Sequence, residues 1–233
     1  LGIKKGDFVM LMLKRRYEYW ICAVALHKIG AVVVPATHLL TEKDIVYRNN
    51  SADIKMIVAV GEKDLIERIN DSQKKSPALK YKVCVNGNFD GWYDFTSQMQ
   101  NQSDIFERPS GKEASANGDN FLIYFTSGTT SMPKMALHDF TYPLGHITTA
   151  KFWQNVEENG AHLTLADTGW AKSAWGKIYG QWISGCAVFV YDFDKFTPTD
   201  VLEIISKNDI TSFCAPSTVY RYLIKSDLSK YDF

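Results

Sequence analysis

The sequence predicts an α/β fold: parallel-rich sheets covered by helices on both faces. Three observations carry this. Short apolar runs alternate with longer segments of helical pattern along nearly the whole chain, the signature of repeated strand–helix units. The helical segments are punctuated by start and stop residues, among them Gly30, Thr41 and the Thr197-Pro198 pair. Finally, 233 residues with 45% hydrophobic and 22% charged side chains suffice for one large domain or two smaller ones.

The elements follow in order. Asp7 to Leu13 is a predicted strand, and Arg16 to Ile29 a helix stopped by Gly30. Ala31 to Val34 is a short strand closed by Pro35. Thr41 begins a helix, with Asp44 three residues on completing a capping box. Lys55 to Val60 is a strand, Glu62 to Lys75 a charged amphipathic helix, and Tyr81 to Val85 a strand. Residues 86–119 carry little pattern beyond a short helix near Asp94, and 100–119, rich in Asn, Ser, Gly and Glu, read as an exposed connection. Phe121 to Phe125 is a buried strand, and Lys134 to His138 returns as its hairpin partner. Asp139 or Thr141 starts a helix running to about Trp153. His162 to Ala166 is a strand, Ala174 to Ser184 a helix, and Cys186 to Tyr191 a strand. Thr197-Pro198-Thr199-Asp200 is a strong helix start: a cap, a proline at the first position, and an acid. Thr211 to Cys214 closes as a strand and Ser217 to Ile224 as a helix.

Composition narrows the function classes. Lys+Arg and Asp+Glu both number 26, so a neutral chain offers no field for nucleic acid or an anionic membrane surface. No apolar run reaches the roughly 18 residues of a spanning helix. Cys22, Cys84, Cys186 and Cys214 are far apart in apolar contexts. They read as buried thiols of a reducing compartment, and a cytoplasmic location is expected. The five histidines show no H-x-x-x-H or H-E-x-x-H spacing, so no metal ligands are assigned.

The chemistry concentrates in Tyr124 to Lys134, YFTSGTTSMPK. Five hydroxyl side chains (Thr126, Ser127, Thr129, Thr130, Ser131) and Gly128 lie between an apolar strand and a lysine. A loop at a strand end can turn backbone N–H groups and hydroxyls toward one point, which suits the oxygens of a phosphate chain. Lys134 adds a point charge. The Walker pattern fails, because Pro133 precedes the lysine and Met135 follows it. No G-x-G-x-x-G follows a predicted strand, so a dinucleotide site is unsupported.

The segment resembles the phosphate-loop signature of the adenylate-forming enzymes, [YF]-x-S-G-T-[TS]-G-x-P-K, departing from it only at Ser131, where that family usually has glycine. Residues 6–36 look like an early segment of the same family. Asp167-Thr168-Gly169-Trp170, then WGKIYGQWISGCAVFVYDFDKF, then APSTVYRYLI, are similar to acetyl- and medium-chain acyl-CoA synthetases. The resemblance covers nearly the whole chain and is weakest over 86–119. It implies the large N-terminal domain of that family and its reaction: carboxylate plus ATP gives an acyl-adenylate and pyrophosphate, and CoA then displaces AMP. The first half needs no strong base, since a carboxylate is ionised at neutral pH; it needs placement and charge stabilisation.

On that resemblance, Thr126, Ser127, Gly128, Thr129, Thr130 and Lys134 are expected to grip the β- and γ-phosphates of ATP, with Lys134 the catalytic residue. Trp170 and Trp175 are expected in the acyl pocket, and Lys172 at its mouth or against a carboxylate. Bulky indoles there favour short- to medium-chain acids. Trp182 reads as a core aromatic, and Lys172 and Lys177 alternatively as a solvated face. His138 sits near the nucleotide or the CoA passage, or is structural. A serine at 131 raises a question of backbone conformation, since glycine tolerates positive φ.

The Y-G-x-T-E segment expected to help hold Mg²⁺, the T-G-D segment expected at the ribose, and the small C-terminal domain are not found. The chain opens on Leu1 rather than Met and is expected to be an excision from a longer protein, inactive alone. Residues 1–140 are expected to form a first α/β subdomain and 141–233 part of a second. The expected partners are a small-molecule carboxylate, ATP and CoA, with a second copy of the chain as a homodimer. Two other classes stay open: a naturally short, non-catalytic nucleotide-binding module, and an amino-acid adenylation domain.

Overall fold

A computed structural model describes residues 1–127 and 132–233. The chain divides into two compact units, one formed by Leu1–Lys14 with Glu18–Thr141, the other by Arg15–Tyr17 with Tyr142–Phe233.

In the first unit, strand β1 (Phe8–Met12) leads into helix α1 (Glu18–Lys28), followed by β2 (Val32–Pro35), α2 (Glu42–Ser51), β3 (Met56–Val60), α3 (Lys63–Gln73) and β4 (Tyr81–Val85). A two-residue strand β5 (Tyr93–Asp94), a short helix α4 (Phe95–Gln100) and a 3-10 turn over Gly111–Glu113 precede the hairpin of β6 (Asn120–Thr126) and β7 (Lys134–Asp139). The seven strands form one sheet in the order β5-β4-β3-β1-β2-β6-β7. Every neighbouring pair is parallel except β6 with β7. Consecutive residues of β1, β2 and β3 are buried, with only Phe8 at the start of β1 partly so. Side chains alternate faces along a strand, so both faces of the sheet centre are covered, as a parallel sheet requires.

The punctuation works as the residue types dictate. Gly30 takes a φ of +74°, and its N–H bonds to His27 O while that of Ala31 reaches Leu26 O. This is the left-handed glycine stop that satisfies two carbonyls at the end of α1. Thr41 and Asp44 exchange side-chain and backbone bonds at the start of α2, the complete capping box. Helix α3 buries Leu65, Ile66, Ile69 and Ser72, one stripe at helical spacing.

In the second unit, α5 (Tyr142–Thr148) continues into a π-helical turn over Thr149–Trp153. Strand β8 (Ala161–Thr164), helices α6 (Ala171–Lys177) and α7 (Tyr179–Ile183), strand β9 (Ala187–Phe189), helix α8 (Pro198–Lys207), strand β10 (Ser212–Cys214) and helix α9 (Ser217–Leu223) follow. The three strands form a parallel sheet in the order β10-β8-β9. Leu163, Leu165, Val201, Leu202, Ala215 and Leu223 make its buried core.

Three expectations are corrected. The helix predicted over Ala174 to Ser184 begins earlier, at Ala171, and is broken at Ile178, whose φ of −148° and ψ of −73° lie outside the helical region. Glycines flank the break because a Cβ at Gly176 would collide with Thr164 Oγ1 and one at Gly180 with His146 O. Thr197 occupies the cap position of α8, yet its side chain makes no capping bond; the fixed φ of Pro198 starts the helix instead. Trp182, read as core, is 43% exposed, because α7 buries Tyr179, Gly180 and Gln181. All four cysteines are buried free thiols, as expected.

Candidate functional site

Strand β6 delivers the hydroxyl-rich loop and β7 receives it. Thr126 and Lys134 are register partners at the open end of the hairpin, and Thr126 Oγ1 lies 3.4 Å from Lys134 O. Ser127 and Lys134 are exposed, so residues 126, 127 and 134 border one open end of the hairpin. Gly128, Thr129, Thr130 and Ser131 lie outside the described residues.

Two residues that sequence reasoning missed anchor this mouth from α2. The Tyr47 hydroxyl donates to Pro133 O at 2.8 Å, and its ring meets Phe125 edge-on at 6.2 Å between centroids. The Arg48 guanidinium sits 4.9 Å from the Phe125 ring centroid. Both ends of the loop are thereby tied to one helix. No spacing rule points to this pair, because it is sheet order that brings α2 to the hairpin. His138 pairs across the hairpin with Leu122, and its ring meets Tyr124 edge-on at 5.8 Å. Burial lowers its pKa.

The second group stands in the other unit. Asp167 Oδ1 accepts from Gly169 N at 2.8 Å, and its carbonyl from Trp170 N at 3.1 Å. That turn hands the chain into α6, with Trp170 at its N-cap and Lys172 and Trp175 on the helix itself. Trp170 is 60% exposed and Trp175 40%, so both indoles present open surface. Trp175 stacks on His146, 6.5 Å between centroids and 29° between planes, and Tyr142 packs edge-on against His146 at 4.5 Å. Lys172 Nζ reaches Ala215 O at 3.3 Å, which holds α6 beside the end of β10.

Lys177 overturns the solvated-face alternative: its side chain is only 2% exposed. Burial, and then the Arg15 guanidinium, lower its pKa to about 7 against the opposing pull of Asp167 and Asp192. Arg15 donates to Phe193 O at 3.3 Å and stacks on the Phe193 ring at 3.9 Å. Arg16 pairs with Asp192 at 3.1 Å. Sequence alone cannot reveal a buried lysine one residue before a helix break that periodicity does not show.

Among the described residues no group of three or more His, Cys, Asp or Glu side chains can hold a metal ion, and no helix is long and apolar enough to cross a membrane. A cavity of about 550 Å³ in the first unit has walls such as Ile21, Cys22, Met56, Phe95 and Met99. It has no charged side chain and suits no phosphate.

Comparison with known proteins bears on the family and the fold. A family model described as AMP-binding enzyme matches residues 1–233. The mitochondrial acyl-coenzyme A synthetase ACSM3 of Homo sapiens is 35% identical over 235 residues, covering 100% of this chain and 39% of the relative. The mitochondrial ACSM4 of Rattus norvegicus is 33% identical over 234 residues, with the same coverage. The chain thus spans 39% of the length of these curated relatives. Among solved structures, an anthranilate CoA ligase in complex with anthranoyl-AMP superposes with a TM-score of 0.87 at 21% identity, covering 99% of this chain and 44% of that one. An acyl-CoA synthetase of Brucella canis gives 0.82 at 21% identity, over 97% and 40%. At such identities these two likenesses speak for the fold: a mostly parallel sheet flanked by helices, as in the N-terminal domains of adenylate-forming enzymes.

Proposed function

The chain belongs to the AMP-binding enzyme family, and from that premise we propose that the protein carrying it is an AMP-forming acyl-CoA synthetase acting on short- to medium-chain carboxylic acids. The observation that carries the reading is the hairpin mouth, where Thr126 faces Lys134 across the hairpin and exposed Ser127 and Lys134 border its open end, beyond a buried strand. Identity above 30% to acyl-CoA synthetases over the full chain supports the choice of reaction.

A carboxylate oxygen attacks the α-phosphorus of ATP. The new P–O bond forms as the bond to the β-phosphate oxygen breaks, and pyrophosphate leaves with that electron pair. The acid arrives ionised, so the protein's task is alignment and charge stabilisation rather than proton abstraction. Thr126 and Ser127 donate to phosphate oxygens, and Lys134 offsets the charge growing on the departing pyrophosphate. Gly128, Thr129 and Thr130 belong to the same proposed grip. CoA sulfur then attacks the acyl carbonyl; the C–S bond forms, the C–O bond to AMP breaks, and the thiol proton is released. Trp170 and Trp175 wall the acyl chain, and Lys172 stands beside them. The reaction class uses Mg²⁺, and the described residues supply no carboxylate cluster for it. Buried, unpaired thiols suit a reducing compartment and support a cytoplasmic placement.

The test is carboxylate-dependent ATP–pyrophosphate exchange by the intact protein, from acetate to long-chain and aryl acids and amino acids. Lys134→Ala is expected to lower exchange at least about tenfold, equivalent to ~1.4 kcal/mol of transition-state stabilisation. An unchanged rate removes Lys134 from the site. Exchange with amino acids alone would point instead to an adenylation domain, and no exchange with any acid to a non-catalytic nucleotide-binding module.

A further inference from the structure

The break at Ile178 leaves the carbonyls of Trp175 and Gly176 in the last turn of α6, where intrahelical donors run out. Two side chains from elsewhere in the unit take their place. Gln181 Nε2 donates to Trp175 O at 3.1 Å and to Gln154 Oε1 at 2.5 Å. Thr164 Oγ1 donates to Gly176 O at 2.7 Å.

Each arm is anchored further back. Gln154 follows the π-helical turn, its own N–H bonded to Thr149 O at 3.0 Å. On the other side, His162 Nε2 lies 2.8 Å from Thr164 Oγ1, and His162 Nδ1 lies 2.7 Å from Ser212 Oγ. Thr164 has a single hydroxyl hydrogen, and Gly176 O takes it. His162 Nε2 must therefore be the N–H that donates to Thr164, and Nδ1 accepts from Ser212. The direction of the chain is settled: Ser212 to His162 to Thr164 to the end of α6.

Gln181 is fully buried, and its Oε1 has no hydrogen-bond partner. A buried carbonyl left unsatisfied costs free energy that an apolar side chain of the same shape would avoid. What the amide offers in return is its two donated bonds, one of them to the Trp175 backbone.

We propose that Gln181 and Thr164 are positioning residues that clamp the end of α6, hold the Trp175 indole in place, and so set the length of acid the pocket accepts. This rests on the reading of Trp175 as an acyl-pocket wall. A wall restricts chain length only if it does not yield, and an exposed indole on a seven-residue helix with a broken end needs outside support.

The experiment compares Gln181→Met, Thr164→Val, Thr164→Ser and Trp175→Ala in the intact protein. It measures kcat and KM for acetate, butyrate, hexanoate and octanoate, and KM for ATP. Gln181→Met and Thr164→Val are expected to raise KM for the preferred acid roughly tenfold and shift preference toward longer acids, with KM for ATP unmoved. Thr164→Ser keeps the donor and is expected to keep the wild-type profile. Folded Gln181→Met protein with a wild-type chain-length profile overturns the inference; a purely structural role lowers Tm without moving that profile. In 5-fluorotryptophan-labelled protein, the Trp175 ¹⁹F line is expected to broaden or split in Gln181→Met, and an unchanged line overturns the clamp whatever the kinetics. If Trp175→Ala itself leaves the profile unchanged, the acyl-pocket reading falls, and the ¹⁹F line still decides whether Gln181 holds the indole.

Discussion

Replacing Lys177 with methionine tests the electrostatics of the second unit directly. The lysine is buried, and its pKa falls from 10.5 to about 7. The sign follows from proton counting. Between pH 7 and 10.5 the unfolded chain holds this proton and the folded chain has largely released it, so stability rises with pH across that window. Full stability is present above the unfolded value and is lost as pH falls toward about 7. One pKa unit corresponds to about 1.4 kcal/mol, so raising pH from 7 to 9 should stabilise the wild type by about 2 kcal/mol through this group. For a chain of this length that is roughly 4–8 °C in Tm. Methionine fills similar space and carries no proton, while Arg16 remains paired with Asp192. The measurement is urea unfolding at pH 7, 8 and 9, followed by tryptophan fluorescence. Four of the six tryptophans (Trp153, Trp170, Trp175 and Trp182) lie in the second unit, so the signal reports chiefly on it. Background titrations, including Cys22, whose thiol burial pushes up to about 12, cancel in the difference between the two proteins. That difference should grow by about 2 kcal/mol from pH 7 to 9. Parallel curves would show that Lys177 keeps its proton in the fold, and that the burial argument fails there.

The same reasoning runs in acid for His27, which stacks on Phe121 with centroids 3.7 Å apart and whose pKa burial lowers to about 3. Its unfolded value is 6.5, so stability is lost as pH drops below that; His27→Phe should reduce the loss between pH 7 and 5 by roughly 2 kcal/mol, read by urea unfolding at both pH values. Tyr47→Phe removes the donor to Pro133 O and should cost about 1 kcal/mol of stability. It should also raise KM for ATP while leaving KM for the acid unchanged, and a wild-type KM for ATP would show that the loop mouth does not depend on α2 for its position.

The fold was legible where its cause is local. Gly30, Thr41 with Asp44, and Pro198 act through their own backbone geometry, and each marks the boundary it should. Alternating apolar and helical segments led to the parallel sheet because strands covered on both faces leave that mark in any sequence. Illegible were features that arise when distant segments meet. The break at Ile178 depends on Thr164 and His146 lying where a Cβ at 176 or 180 would be, and no periodicity in 171–184 records that. The burial of Lys177 likewise depends on groups distant in sequence, Arg15 and Asp192 among them. At the candidate site, the pairing of Thr126 with Lys134 could be read from the hairpin, whereas the hold of Tyr47 on Pro133 depends on the order of strands in the sheet.

On the proposed function, these cases separate the shared reaction from the choice of acid. The hairpin mouth is built from residue types that any phosphate would satisfy: hydroxyls and a lysine at a strand end. Nothing in it distinguishes one acid from another. Discrimination between acids has to come from apolar walls, and one methylene there is worth about 1–3 kcal/mol only if the wall stays fixed. The indoles that would form such walls stand at the N-cap of α6 and on it, a helix too short to be rigid by itself. The polar side chains buried beneath it, Gln181, Thr164 and His162, are costly in a core unless their bonds do work that packing cannot. Holding two helix-end carbonyls in register is work of that kind. On the proposed function, the costlier and less predictable part of the second unit would therefore carry substrate choice, while the legible loop would carry the reaction common to the family.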